Sequence, residues 1–206
     1  MNHEIRTRRE ADRDLPLLLW RFPKPLRAIA SSPHGGGLGM RRWAMNAQVP
    51  ASYARRDPDH HLGKLGVSLG LPGRGIGMLT AADVRAFSTA YDGDVSVTAT
   101  VGLGHALLAA APYDPRPVAM VGTINLLAVI PERLSDAALV NAVATATEAK
   151  TQALRDLGLD ATGTATDALC LLCPDEGRPH DFGGPRSMWG ARLARAVHAS
   201  VLATRR

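Results

Sequence analysis

Residues 83–101, "DVRAFSTAYDGDVSVTATV", decide how this chain folds. "DVRAFSTAY" (83–91) and "DVSVTATVGL" (94–103) carry the β-branched residues and two-residue alternation of extended segments. Asp92-Gly93 between them is a tight-hairpin dipeptide. A hairpin pairs its strands antiparallel, which argues against the all-parallel sheet of a doubly wound chain. Outward from it, "GIGMLTA" (75–81), "WAMNAQV" (43–49) and "ALCLLC" (168–173) read as further strands, and "VAMVGTINLLAVI" (118–130) as a long buried one after the loop "PYDPRP" (112–117). "LPLLLWRFPKPLRAIASS" (15–32) reads as two strands around a turn at Phe22-Pro23-Lys24-Pro25, and "PHGGGLG" (33–39) as a glycine loop.

Three helices complete the pattern. Asp57-Pro58 starts one that runs to about Leu71, weakened by Gly63, Gly66 and Gly70. Ser135 and Asp136 start the clearest one, which Gly158 closes, and "RSMWGARLARAVHASVLA" (186–203) is the last. The expectation is an α+β fold: one domain over 15–206 with a mixed, mostly antiparallel sheet, hairpins and about three helices, led by a flexible charged segment, 1–14.

The composition suits this. At 206 residues and 46% hydrophobic content the chain can bury one good-sized core, and with 4% aromatics that core is aliphatic and alanine-rich. No apolar run is long enough to span a bilayer, and "MNHEIRTRREADRDLP" alternates charges where a signal peptide would be apolar. A cytoplasmic protein without a membrane partner is expected. The formal charge of +5 resides in residues 186–206, whose five arginines face no acid; no nucleic-acid motif accompanies them, so no nucleic-acid partner is expected. Cys170 and Cys173 fall on opposite faces of their strand and read as core filler.

One residue breaks the pattern. At 100° per residue the helix from Ser135 places Leu139, Val143, Ala146, Leu154 and Leu157 on one stripe with Lys150 in its middle. Glu148 falls opposite, beside Asn141, Gln152 and Arg155. Lysine is not this chain's habitual surface charge, since it has three lysines against 21 arginines. Lys150 could snorkel past the stripe to solvent, or point into a polar pocket. The returning chain offers it a partner in "ATGTATDA" (161–168), where Thr162, Thr164 and Thr166 alternate around Gly163 and precede Asp167. A hydroxyl-rich turn capping a strand is the plainer reading of that run.

In order and spacing, "GTINLLAV" (122–129), "LSDAALVNAVATATEAKTQAL" (134–154) and "ATGTATDAL" (161–169) resemble the adenosylcobinamide amidohydrolase family of corrinoid salvage. "SSPHGGGL", "MNAQV", "GMLTAAD" and "TVGLGH" upstream, and "FGGPRSMWGARLARAV" downstream, extend the likeness over about residues 26–203. The resemblance implies hydrolysis of the amide joining the aminopropanol arm to the corrin ring, giving adenosylcobyric acid for coenzyme B12 synthesis and 1-amino-2-propanol. The corrinoid is then a small-molecule substrate, not a cofactor; no cofactor is expected, and assembly into a homo-oligomer is compatible with the sequence. Candidate substrate-binding residues are His34, Gly35, Gly36, Gly37, Asn46, Thr80, His105, Thr123, Asn125 and Gly163.

Amide hydrolysis needs an attacking oxygen, donors for the oxyanion and a proton for the leaving amine. Lys150 could supply the proton or stabilise charge, and Asp167 or Glu148 could activate water. Thr162 or Thr164 could instead be the nucleophile, with neutral Lys150 as base. A non-catalytic corrinoid carrier or sensor is the rival reading. Two decoys carry less. "HGGG" (34–37) with "GVSLG" (66–70) imitates a lipase oxyanion loop and nucleophile elbow around Ser68, but the stretch before the serine is too polar for the buried strand an elbow needs. The seven histidines show no metal-ligand spacing, and the adjacent His60 and His61 read as solvated, so no metal is expected.

Overall fold

A computed structural model of the chain describes residues 2–10, 12–113 and 122–204. The chain opens with β1 (His3–Glu10), β2 (Arg13–Ala30) and β3 (Gly37–Gln48), followed by α1 (Pro58–Ser68) and β4 (Gly75–Thr80). The hairpin β5 (Ser88–Asp92) and β6 (Val95–Val101) comes next, then the short β7 (Ala106–Leu107) and β8 (Ile124–Val129). α2 (Asp136–Asp156), β9 (Gly163–Thr164), β10 (Ala168–Cys173) and α3 (Met188–Ala203) complete it. The main sheet runs β4-β3-β2-β10-β8-β6-β5, with β1 on the free flank of β2, while β7 and β9 form a separate pair. β3/β4 and β8/β10 are parallel and the other pairings antiparallel. The fold is α+β, with three α-helices among the described residues.

β2 organises the sheet. Its run Leu15–Trp20 is buried on both faces. Leu17 and Leu19 join Trp43, Met45, Ala47 and Leu62 beneath α1, while Leu18 and Trp20 turn to an inner cluster with Ile76, Met78, Leu127, Cys170 and Leu172. A third cluster seats α2 and α3 on the outer face of β6, β8 and β10 through Val97, Leu126, Leu171, Leu139, Leu154 and Leu193. Cys170 and Cys173 are buried on opposite faces, in the inner and outer clusters, and burial pushes the Cys170 thiol up to about 12.

The sheet also curls. Asn46 on β3 donates to Thr100 on β6 at 2.8 Å, although β2, β10 and β8 separate those strands. Asn125 on β8 donates to Asn46 Oδ1 and to the Leu79 carbonyl on β4, each at 2.8 Å. Strands from both ends of the sheet therefore meet over its concave face.

Several segments differ from expectation. Phe22-Pro23-Lys24-Pro25 does not reverse the chain: β2 runs through it, and its register against β3 shifts between Arg21 and Leu26. The irregularity removes the need for ladder N–H groups, which is what two prolines lack. Residues 84–86 of the expected strand 83–91 form a 3-10 turn, started by Asp83 accepting from Arg85 N. β3 begins at Gly37, inside the expected loop, and β8 spans only Ile124–Val129; residues 114–121, covering most of the expected loop and the start of that strand, lie outside the described residues. His61 is buried, not solvated. Residues 3–10, expected to be a flexible lead-in, are hydrogen-bonded to β2 from His3↔Trp20 to Glu10↔Arg13. Among the described residues no helix is long and apolar enough to cross a membrane.

A chain lacking residues 1–10 leaves that flank of β2 unpaired. Urea unfolding should find it less stable by at least about 2 kcal/mol, or insoluble; an unchanged midpoint would show that β1 contributes nothing.

Candidate active site

The apolar stripe of α2 faces the core, and Lys150 goes in with it, only 9% exposed. Its ammonium donates to Asp167 Oδ2 at 2.5 Å. Asp167 also accepts from Thr164 N at 3.2 Å, Thr164 Oγ1 at 2.6 Å and Ile124 N at 2.9 Å. These donors occupy the acceptor positions a carboxylate offers, so Asp167 is held in one orientation by β8, β9 and α2 together. Removing one partner from a fully buried ion pair costs about 3 kcal/mol or more, because it strands the other charge; Asp167 keeps part of its carboxylate accessible, so the cost here is smaller.

The local sequence follows from this pair. A Cβ on Gly163 would lie 2.4 Å from Asp167 Oδ2 and 2.6 Å from Lys150 Nζ, so only glycine fits where β9 crosses the pair. Of the three threonines, Thr164 holds Asp167. Thr166 shares a 2.7 Å hydroxyl contact with Thr123 and donates to the Gly122 carbonyl. Thr162 turns away: its hydroxyl accepts from Ala109 N at 2.8 Å and its amide donates to Leu107 O, fastening the β7/β9 pair.

Asp167 lies where two cavities meet. One, about 520 Å³, is lined by Val49, Pro50, Tyr53, Leu79 and Thr80 on one side and by Thr123, Thr166 and Asp167 on the other. The second, about 290 Å³, is lined by Ile124, Leu126, Val143, Thr147 and Lys150. Ser31, Asp167 and Ala168 line both the larger and the smaller lobe. β2 leaves β10 at this point, with Ser31 Oγ accepting from Leu169 N at 3.0 Å. Asn46 and Asn125 lie buried in the adjoining polar network, where Asn125 Oδ1 has no hydrogen-bond partner among the described residues.

The structure thus brings together Lys150, Asp167, Gly163, Thr164, Thr80, Thr123, Asn46 and Asn125. Other candidates stand apart. Glu148 is exposed on the opposite face of α2, beside Gln152 and Arg155. His105 is exposed on the turn before β7 and lines neither lobe. His34 contacts Asp59 at 2.6 Å, stacks on Trp43 and lines a separate groove beside α1. Gly35, Gly36 and Gly37 also lie outside the cleft. Gly35 has φ +66 and an added Cβ would lie 1.9 Å from the Gly75 carbonyl oxygen, while buried Arg41 donates to the carbonyls of Gly35 and Gly36. This is a close-packed turn. Ser68 sits in the last turn of α1, donating to Leu65 O, not on a strand-to-helix elbow. Sequence reasoning missed Ser31 and Tyr53; an aromatic in the proline- and arginine-rich "PASYARRDP" (50–58) is the one signal that pointed to Tyr53.

These features define an α+β protein with a concave, largely apolar cleft beside a part-buried cation–carboxylate pair. The family model described as adenosylcobinamide amidohydrolase matches residues 1–206, and the chain belongs to that family. An adenosylcobinamide amidohydrolase of Methanosarcina mazei is 28% identical over 177 residues, covering 82% of this chain and 84% of that protein. One of Halobacterium salinarum is 36% identical over 119 residues, covering 54% of this chain and 50% of that protein.

Gly163→Ala should force the ion pair apart and cost about 1–3 kcal/mol in a urea titration. Wild-type stability would show that β9 yields without disturbing the pair.

Proposed function

We propose that the chain hydrolyses the amide between the corrin ring side chain and the aminopropanol arm of adenosylcobinamide, giving adenosylcobyric acid and 1-amino-2-propanol. The acid then returns to coenzyme B12 synthesis. Membership of the family supports the reaction class. The observation that carries the site is the Lys150–Asp167 pair at the junction of two lobes. The larger lobe has apolar walls for a broad ring system and the smaller is sized for an arm, so an amide between the two lies beside the pair.

As the Lys150 ammonium turns from Asp167 Oδ2 to the amide oxygen it frees a lone pair on that carboxylate oxygen, and water attacks the amide carbon while the freed oxygen takes its proton. The oxyanion that forms is stabilised by the Lys150 ammonium, in a site where charge interactions are little screened. Asp167 then passes the proton to the leaving nitrogen, the C–N bond breaks, and a carboxylate and an ammonium are released. Thr164 and Ile124 N keep the carboxylate aimed throughout. Thr164 lines neither lobe and its proton is directed at Asp167, which favours an orienting role over a nucleophilic one. Lys150 serves the oxyanion here, so turnover should be insensitive to a chelator.

Lys150→Met and Asp167→Asn should each slow release of 1-amino-2-propanol from adenosylcobinamide at least about a hundredfold. Lys150→Met should also lower stability by about 1–3 kcal/mol, since Asp167 loses its counter-charge. Glu148→Gln should stay within about threefold of wild type. Near-normal turnover by Lys150→Met would remove the lysine from the mechanism. Stoichiometric corrinoid binding by the wild type without turnover would favour a carrier or sensor.

A further inference from the structure

A chain of polar contacts outside the ion pair ends at the wall of the larger lobe. His61 on α1 is 5% exposed. Its Nε2 is 2.9 Å from Glu10 Oε1, and its Nδ1 is 3.0 Å from the Tyr53 hydroxyl. A carboxylate only accepts, so Nε2 carries a proton; in the neutral ring Nδ1 then accepts from the Tyr53 O–H. The two rings also stack, 5.6 Å between centroids and 21° between planes. Glu10 is held in turn, its Oε2 accepting from Arg8 Nε at 3.0 Å, while Arg8 donates to the Gln48 carbonyl at 2.7 Å. The order is Arg8, Glu10, His61, Tyr53, then the cavity.

Tyr53 belongs to the loop between β3 and α1, which supplies Pro50, Ala51 and Arg55 to the same wall, across from Thr123, Thr166 and Asp167. Within the loop, Tyr53 N donates to Pro50 O at 2.9 Å, and among the described residues Arg55 pairs with its neighbour Asp57. Among the described residues the Tyr53–His61 contact is therefore the side-chain tie from this wall to the body of the fold. Burial pushes the Tyr53 phenol above its usual range, so it stays protonated and able to donate.

We propose that Glu10 and His61 are positioning residues that fix the Tyr53 ring as the platform on which the substrate's flat ring system rests. This rests on the hydrolase reading above. A ring clamped on one side by His61 offers an aromatic surface to a flat ligand without ordering a free side chain on binding. The wall lies across the lobe from the reacting groups, so loosening it should weaken ground-state and transition-state binding alike. That signature is a raised KM with kcat preserved.

The test uses the full chain and adenosylcobinamide, with kcat and KM measured beside Kd by equilibrium dialysis. Tyr53→Phe and Glu10→Gln should each raise KM and Kd by about three- to tenfold with kcat within about twofold. The double variant should bind no worse than the weaker single, since both changes cut one chain of contacts. Tyr53→Ala, which removes the platform itself, should raise Kd further. Unchanged KM and Kd in the folded single variants would overturn the proposal, as would additive effects in the double or a loss confined to kcat. If the wild type turns over and the variants bind like it, only the positioning role fails. If the wild type binds without turnover, the Kd comparison still decides; if it neither binds nor turns over, the hydrolase reading fails and takes this one with it.

Discussion

A carboxylate largely withdrawn from water has to be neutralised and hydrogen-bonded, and the architecture of the cleft follows from how Asp167 meets that demand. Its donors come from the first residue of β8, from both the backbone and the hydroxyl of Thr164 on β9, and from Lys150 on α2. Segments distant in sequence thereby converge on two oxygens. The same demand disfavours a side chain at position 163 and sets a lysine on a mostly apolar helix face. A pair this enclosed is a weak source of net stability, since desolvating both charges offsets most of their attraction. On the proposed reading the pair serves chemistry and is not a structural staple.

The curl of the sheet gives the pair a cavity to act in. Asn46, Thr100 and Asn125 join strands from opposite ends of the sheet over its concave face, and the larger lobe lies next to this network. A buried polar network fixes one arrangement where aliphatic packing alone tolerates several. Asn125 Oδ1 remains as an acceptor without a partner among the described residues.

Legibility in the sequence followed the range of the interactions. The β5–β6 hairpin, the caps at Ser135 and Gly158 and the apolar face of α2 depend on neighbours within a few turns, and they are visible as Asp92-Gly93, as cap residues and as a 3.6-residue period. Lys150 was visible because it violated that period, and Asp167 because the chain returns to it within a short loop. Arrangements made across the fold were not visible. The passage of β2 through two prolines and the contact of buried His61 with Glu10 are each set by partners tens of residues away, and β1, although it pairs with the adjacent β2, carries charges where an apolar alternation would announce a strand. The glycines at 35–37 were legible as a turn, yet their distance from the cleft follows from Arg41 and Gly75, which no local pattern connects to them.

The central claim is that the reacting amide sits where the two lobes meet, against Lys150 and Asp167. A crystal structure of the slow Lys150→Met chain soaked with adenosylcobinamide addresses it most directly. The account predicts the ring system against Tyr53 and Leu79, the aminopropanol arm in the smaller lobe, and the amide carbon within about 4 Å of the Asp167 carboxylate, the reach of an intervening water. An amide placed elsewhere, for example in the groove beside His34 and Trp43, would contradict it.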